Sequence, residues 1–181
     1  MIKNIYIIRH CEATGQSAES PLSEKGFTQA ENLSHFLTDR QIDRIISSPY
    51  MRAVQSIKPF AEGNNLEIEL DDRLTERVLS SRALPDWLDK LEATFYELGL
   101  KYEGGESSKE ATMRIVELVY EIIASDQENT MIVAHGGIIS LLLHHYDKNF
   151  GFEQWKNLSN PDIFVLRISE NITSFERLIG T

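Results

Sequence analysis

Residues 4–16, NIYIIRHCEATGQ, join a short apolar run to a cluster of charged and ionisable side chains. The run from Ile5 to Ile8 is typical of a buried β-strand, and it ends abruptly at Arg9 and His10. In open α/β sheets, ligands bind just beyond the carboxyl ends of parallel strands. This stretch therefore predicts an anion-binding site with His10 at its centre.

The rest of the chain alternates between short apolar strands and amphipathic helices. Ser23 is a suitable N-cap for a helix over 24–39, and Ser107 with Glu110 matches a capping box for a later helix. The same reasoning predicts strands over 2–8, 43–48, 66–70, 130–134, 162–168 and 174–179, and helices after Pro49, around 87–98 and over 138–146. This alternation indicates a three-layer α/β/α sandwich with a mostly parallel central sheet. We expect residues 1–181 to form a single domain.

Two further predicted strands also end at ionisable side chains. Arg52 follows the second strand, and His135 follows the fourth, just before Gly136 and Gly137. Glycines allow a close backbone approach, and N–H groups at a helix start favour an anion. Two arginines suit a phosphate group, because a guanidinium donates a fork of hydrogen bonds that matches its oxygens. A neutral histidine is a competent nucleophile towards phosphorus, so a phosphohistidine is the implied intermediate.

The composition narrows the class of protein. Hydrophobic residues make up 41% of the chain and charged residues 25%, which is ordinary for a globular domain. The formal net charge of −10 argues against nucleic-acid and anionic-membrane partners. Any phosphate site must therefore be a local cluster of positively charged side chains. We expect a cytoplasmic protein, since neither a leader pattern nor a long apolar run is evident. The single cysteine, Cys11, excludes an internal disulfide; we expect a packed side chain, with a redox role as the alternative.

Residues 9–16, RHCEATGQ, closely resemble the RHGE signature of the histidine phosphatase superfamily, which includes the cofactor-dependent phosphoglycerate mutases. Further landmarks of that family follow in order: LSEKGFTQA, SSPYMRAVQS, LTER, GGES, VAHGG and a late Asn160. The resemblance implies a phosphoglycerate mutase-like fold over nearly the whole chain. Four positions depart from the usual pattern of the family: Cys11, Ala13, Gln16 and Ser80.

The resemblance also implies roles for individual residues. His10 is the expected phosphorylated nucleophile, in a phosphate pocket completed by Arg9, Arg52 and His135. Glu76 in LTER resembles the proton donor to the leaving oxygen, with Glu106 in GGES as the rival acid. Gln16 and the N–H of Gly136 are expected to contact the substrate. The family chemistry implies neither a cofactor nor a metal ion.

The expected function is hydrolysis of a small phosphorylated substrate through a phosphohistidine on His10. One alternative is phosphoryl transfer of the phosphoglycerate mutase type, although mutases of this family are usually longer. Another is a catalytically silent phosphate-binding module, and a third is a zinc hydrolase using His10, Glu12 and His135. The adjacent His144 and His145 diverge on a helix and do not suit one metal ion. The sequence leaves the physiological substrate and the oligomeric state open.

The segment from Asp71 to Gly105 has the weakest pattern. We expect it to leave the edge of the sheet and form a lid over the site, with substrate specificity determined by residues 77–105. Its aromatic residues are predicted to pack within the segment, with a place at the substrate entrance as the alternative; they are Trp87, Phe95, Tyr96 and Tyr102.

Overall fold

The fold is a six-stranded sheet with helices around it, as given by a computed structural model that describes residues 2–179. The strands are β1 (Lys3–Arg9), β2 (Arg44–Ser47), β3 (Ile68–Leu70), β4 (Asn129–Ala134), β5 (Asp162–Ile168) and β6 (Thr173–Ile179). The helices are α1 (Glu24–Leu37), α2 (Met51–Gly63), α3 (Trp87–Tyr96), α4 (Ser108–Ala124), α5 (Gly136–Tyr146) and α6 (Phe152–Lys156). A 3₁₀ turn covers Asp72–Leu74. No helix within residues 2–179 has the length and apolar character needed to cross a membrane.

The sheet has the strand order β3-β2-β4-β1-β5-β6. Strands β3, β2, β4 and β1 are parallel, while β5 runs antiparallel to β1 and pairs with β6 as a closing hairpin. The register aligns Arg9 of β1 with Ala134 of β4, and Ser47 of β2 with Val133 of β4. The carboxyl ends of three neighbouring parallel strands therefore lie side by side, at one edge of the sheet.

Alternate side chains of the strands enter two separate hydrophobic cores. Tyr6 and Ile8 of β1 pack with α1 and α2, whereas Ile5 and Ile7 pack with the helices from α3 to α6. This two-residue period is what a strand covered on both faces requires. The predicted three-layer α/β/α sandwich with a mostly parallel centre is confirmed.

Several local predictions are confirmed and a few are wrong. The Ser23 cap and the capping box of Ser107 are both present. Helix α5 starts at Gly136 rather than residue 138, because His135 already occupies the N-cap. The apolar side chains of α1 are only partly buried, since Phe27 is 49% exposed and Phe36 is 38% exposed. Helix α6 has too short an apolar pattern to be recognised from the sequence.

The segment from Asp71 to Gly105 is fastened to the start of α4. Arg77 is buried and donates to the hydroxyl oxygens of Thr94 and Ser108, at 3.0 and 2.9 Å, and to the carbonyl of Glu106 at 2.8 Å. These bonds join the loop after the 3₁₀ turn to α3 and α4. Of the aromatic residues in the segment, Phe95 is buried and Tyr96 is exposed. Movement of this segment as a lid remains a prediction.

Candidate active site

Four of the predicted site residues lie at or just beyond the adjacent ends of β1, β4 and β2. The N–H of His10 donates to the carbonyl of Ala134 at 3.1 Å, which extends the pairing of β1 with β4 by one residue. The rings of His10 and His135 consequently lie with their centroids 5.1 Å apart. Arg52, on the first turn of α2, reaches this pair from the β2 side. Residues that are distant in sequence thus form one buried cluster with Arg9.

His10 is held in one orientation and one protonation state. Its Nδ1 lies 2.6 Å from the carbonyl oxygen of Cys11, which can only accept, so Nδ1 carries the proton. The lone pair of Nε2 is therefore free, and it accepts from Nε of Arg52 at 3.2 Å. Desolvation, together with the nearby Arg52 and Arg9 charges, lowers the pKa of His10 to about 3 against the effect of the Cys11 bond. His10 is a neutral imidazole whose Nε2 faces the arginines.

His135 is also buried and neutral. Its Nε2 lies 2.8 Å from the hydroxyl of Ser48, which accepts the N–H of Tyr50 at 3.3 Å. That hydroxyl can therefore donate to Nε2, which places the ring proton on Nδ1. Burial and the charges around His10 hold the pKa of His135 well below its usual range. Its Nδ1 is buried with no hydrogen-bond partner among residues 2–179, so it is a donor without an acceptor.

The two arginines are fixed by backbone carbonyls, which keeps their remaining donors for a ligand. Nη1 of Arg9 donates to the carbonyls of Leu158 and Ser159, each at 3.2 Å, and Nη1 of Arg52 donates to Ser17 at 2.7 Å. Within the described chain, Nε of Arg9 is buried and unpartnered. Desolvation lowers the pKa of both guanidinium groups, yet arginine stays protonated in proteins. The cluster is a concentrated positive charge within an acidic protein.

Gly136 is required by the approach of Arg9. A Cβ at Gly136 would lie 3.1 Å from Nε of Arg9 and 3.2 Å from Cζ. A larger side chain would therefore press on the guanidinium. The sequence predicted a close approach at this glycine, and the neighbour that comes close is Arg9.

Glu76 occupies the start of α5. Its carboxylate oxygens accept the N–H groups of Gly137 at 2.9 Å, Ile138 at 2.8 Å and Arg77 at 2.8 Å. A Cβ at Gly137 would come within 2.6 Å of Oε1, so only glycine leaves room for this contact. The anion that the helix start was expected to favour is thus a side chain of the protein itself. Gly136, which precedes the first of these α5 donors, lies against the guanidinium of Arg9, so Glu76 lies beside the cluster.

The rival acid, Glu106, is committed to an ion pair. Its oxygens accept from Nε of Arg114 at 2.7 Å, from Nη2 of Arg114 at 3.1 Å and from the N–H of Val78 at 2.9 Å. Burial would raise the pKa of Glu106, but these bonds outweigh it and hold the pKa below its usual value. Glu106 is consequently a poor proton donor.

The remaining predicted residues differ in their placement. Gln16 is exposed and lines an open cavity rather than the histidine cluster. Cys11 is fully buried, and desolvation raises the pKa of its thiol to about 11, which fits a packed side chain. Glu12 is bonded by Ser23 at 2.8 Å and lies 3.5 Å from Lys25, so it is turned to α1. Between residues 2 and 179, no three His, Cys, Asp or Glu side chains are grouped to hold a metal ion.

The loop before β5 was not singled out as part of the site by sequence reasoning. Asn160 donates from Nδ2 to the carbonyl of His10 at 2.8 Å, and the carbonyls of the two preceding residues hold Arg9. This loop is fixed by Asp162, which is fully buried, accepts the N–H of Ser159 at 2.8 Å and pairs with Arg177 of β6. The one signal for this loop in the sequence was Asn160, which matches an asparagine of the family pattern.

The fold and the cluster define a three-layer α/β protein with two histidines and two arginines at the ends of parallel strands. A family model for the histidine phosphatase superfamily (branch 1) matches residues 5–179. The chain belongs to the histidine phosphatase superfamily. A comparison with curated protein sequences gave no match.

Solved structures with the same fold come from several bacteria. A mycobacterial glucosyl-3-phosphoglycerate phosphatase in complex with inorganic phosphate is 25% identical, with a TM-score of 0.77 over 98% of this chain and 96% of that one. Bacillus stearothermophilus YhfR is 19% identical, with a TM-score of 0.78 over 97% and 96% of the two chains. A phosphoglycerate mutase from Bacillus anthracis is 19% identical, with a TM-score of 0.75 over 98% and 92%.

Proposed function

We propose that this protein is a metal-independent phosphomonoesterase that hydrolyses its substrate through a phosphohistidine on His10. The observation that carries the proposal is the Nε2 lone pair of a neutral His10, which lies 3.2 Å from a guanidinium nitrogen of Arg52. A neutral imidazole is an effective nucleophile, and the adjacent cations would stabilise the charge on a transferring phosphoryl group. Phosphatases occur among the relatives of similar structure, which supports this choice.

In the first step, Nε2 of His10 attacks phosphorus in line with the ester oxygen, and the P–O bond of the substrate breaks as the N–P bond forms. Arg52 then donates to a phosphoryl oxygen instead of to Nε2. The unpartnered Nε of Arg9 and Nδ1 of His135 supply further donors for the equatorial oxygens. Each hydrogen bond to a charged group contributes about 1.5–3 kcal/mol.

Glu76 is proposed to give its proton to the departing alkoxide and later to take one from water. Both oxygens of Glu76 accept backbone N–H groups in this structure. A protonated Glu76 must therefore release one of these bonds before it can reach the leaving oxygen. In the second step, water attacks the phosphohistidine, inorganic phosphate leaves and neutral His10 is regenerated. The remaining N–H groups of α5 favour the carboxylate that proton donation produces.

The test of this proposal is hydrolysis of p-nitrophenyl phosphate by the purified protein. We expect activity that persists in excess EDTA, is inhibited by vanadate and is abolished by His10→Ala. His35→Ala is the matched control, because His35 is exposed on α1 and should not affect the rate. Loss of activity with EDTA would support a zinc hydrolase, and absence of any hydrolysis would support a silent phosphate-binding module.

A mutase is the second candidate, because a phosphoglycerate mutase shares the fold. The two reactions share the phosphohistidine and differ in its acceptor, which is water for a phosphatase and a second alcohol for a mutase. Incubation with 3-phosphoglycerate and a trace of the bisphosphate distinguishes them. Release of phosphate faster than isomerisation is expected here, and the reverse order would identify a mutase.

A further inference from the structure

An open cavity lies between the loop that follows β1 and the segment that precedes α3. Its volume is about 580 Å³. Gln16 forms one wall, and Leu79, Ala83, Leu84 and Trp87 form most of the other, with Arg82 at the rim. We call this space the Trp87 cavity. It brings together two parts of the chain that are more than sixty residues apart.

Two short stretches of chain connect the lining of the Trp87 cavity to the phosphate cluster and to Glu76. Gln16 directly precedes Ser17, whose carbonyl holds Nη1 of Arg52 at 2.7 Å. Leu79 is three residues after Glu76, and three residues of extended chain span at most about 11 Å. An alcohol whose oxygen receives the Glu76 proton would therefore extend into this cavity.

The walls of the cavity suit a flat apolar ring. The indole of Trp87 is 50% exposed, and the side chains of Leu79, Ala83 and Leu84 surround the space beside it. Aromatic faces bind other rings in offset-stacked or edge-to-face arrangements, with a gain beyond the buried area. Across the cavity, the amide of Gln16 makes no side-chain hydrogen bond within residues 2–179, so its donors and its acceptor are available to polar atoms on a ring edge.

The charges around the cavity do not suit a second phosphate. Arg82 is the cation at the rim, and it is paired with Glu103 at 2.9 Å. A second anionic group on the substrate would have to displace Glu103 and remain close to its negative charge. The net charge of −10 adds to this repulsion at longer range. The cavity is therefore matched to a part of the substrate that carries no phosphate of its own.

We infer that the Trp87 cavity binds the alcohol part of the substrate, and that the preferred substrates are monophosphate esters whose alcohol carries an aromatic or heteroaromatic ring. Trp87 stacks on the ring, and Gln16 bonds the polar atoms at its edge. This inference rests on the proposed phosphatase function, since it concerns the leaving group of that reaction. It makes Trp87 a specificity-determining residue in the segment where the sequence pattern is weakest.

The experiment compares matched substrates that differ only in the ring. 2-Phenylethyl phosphate is paired with ethyl phosphate, and adenosine 5′-monophosphate is paired with ribose 5-phosphate. Each pair retains a primary alcohol as the leaving group, so a difference in kcat/KM reports the ring. We expect the ring to raise kcat/KM about tenfold or more, the size of a good aromatic contact.

Variants show whether the effect arises in the Trp87 cavity. Trp87→Ala should bring the ratio of kcat/KM within each pair close to one, whereas Trp87→Phe should retain most of it. Gln16→Leu should lower the ratio for the adenosine pair only, because a phenyl ring offers no polar edge. Tyr96→Ala is the control, since Tyr96 is 76% exposed at the other end of the same helix and does not line the cavity.

The outcomes separate this inference from the proposed function. A ratio near one in the wild-type protein, with both members of each pair hydrolysed, would overturn the inference and leave the phosphatase intact. A high ratio that survives Trp87→Ala would overturn the assignment to this cavity. If the protein hydrolyses none of these substrates and does not hydrolyse p-nitrophenyl phosphate, the proposed function and the inference are both overturned.

Discussion

His10 and His135 stay uncharged because a further positive charge would have to be buried beside the two charged arginines. Desolvation is the largest cause of the lowered pKa of each ring, and the arginine charges act in the same direction. A neutral ring keeps one nitrogen lone pair, and the Cys11 carbonyl determines that this lone pair is on Nε2 of His10. Burial, rather than an adjacent base, therefore keeps a lone pair free on the proposed nucleophile.

The protonation of His10 should not limit the rate in the usual assay range. With a pKa lowered to about 3, His10 is deprotonated throughout that range, so it causes no loss of rate between pH 4 and pH 9. An ordinary histidine would lose its free lone pair below about pH 6.5. Steady-state assays should therefore show no loss of kcat with an apparent pKa near 6.5 on the acid side, and such a loss would contradict the lowered pKa of His10.

Substitution of Glu76 tests its proposed role as the proton donor. Glu76→Gln should lower kcat for an alkyl phosphate by about 10²–10⁴-fold, since a general acid contributes that much. Glu106→Gln is the matched control and should lose much less, because Glu106 is paired with Arg114. A kcat for Glu76→Gln close to that of the wild-type protein would contradict the proposed role of Glu76.

At the scale of secondary structure, the first turn of α5 positions the acid. Gly137→Ala would place a Cβ 2.6 Å from Oε1 of Glu76 and 3.0 Å from Cγ of Arg77, so the carboxylate must move. This movement of the carboxylate should lower kcat at least tenfold, because a reacting group that is misplaced by about 1 Å loses at least that much rate. Gly63→Ala is the control, because nothing lies within 4 Å of its added Cβ. Equal rates for both variants in steady-state kinetics would contradict the placement of Glu76.

The hairpin of β5 and β6 is expected to stabilise the site through Asp162. Arg177→Met leaves the fully buried Asp162 without its cation, and breaking such a pair costs about 3–5 kcal/mol. The Ser159 loop that holds Arg9 should loosen as well, so inhibition by vanadate should weaken. Urea unfolding and vanadate inhibition measure the two effects.

Arg167→Met on the same hairpin is the control for the loss of stability expected in Arg177→Met. Arg167 pairs with Glu176 at 2.8 Å, but both side chains are about half exposed, so the change should cost less than about 1 kcal/mol. Similar losses for the two variants would show that Asp162 has no special role.

Features that depend only on residues close together in the sequence, such as helix caps and strand ends, could be predicted. The N-caps at Ser23 and Ser107 follow from side chains within three residues of the bonds that they make. The strand ends that carry His10, Arg52 and His135 follow from apolar runs, and parallel pairing then brings them together. The exposure of Phe27 and Phe36 could not be predicted, because it depends on which side of α1 meets the sheet.

The parts of the candidate site that could not be predicted depend on contacts between distant segments of the chain. The bonds from Glu76 to α5 join residues about sixty positions apart, and the bond from Asn160 to His10 spans 150 positions. The pairing of Asp162 with Arg177 depends on the register of the closing hairpin. No local pattern encodes these contacts, which appear only when the whole sheet is assembled.

The stability of the whole molecule should fall in mild acid because two histidines are buried uncharged. Unfolded, both rings take up protons below about pH 6.5, whereas the folded protein binds them only at much lower pH. Their contribution is therefore complete above about pH 6.5 and is lost as pH falls. For His10, whose pKa in the folded protein is about 3, the loss at pH 5 is about 2 kcal/mol. Urea unfolding at pH 7 and pH 5 measures the difference.

The variant His10→Asn/His135→Asn isolates this contribution from the other titrating groups. Its free energy of unfolding should change less between pH 7 and pH 5 than that of the wild-type protein. An unchanged dependence on pH would show that the two rings are not held neutral by the fold.

Trapping of the phosphorylated protein tests whether His10 carries the phosphoryl group during turnover. The protein is mixed with p-nitrophenyl phosphate, quenched in alkaline denaturant within milliseconds and analysed by mass spectrometry of the intact chain and its peptides. We predict one acid-labile phosphoryl group on the peptide that contains His10, formed in a burst and absent from His10→Asn. Turnover without any acid-labile phosphoryl group, or labelling that persists in His10→Asn, would contradict the account.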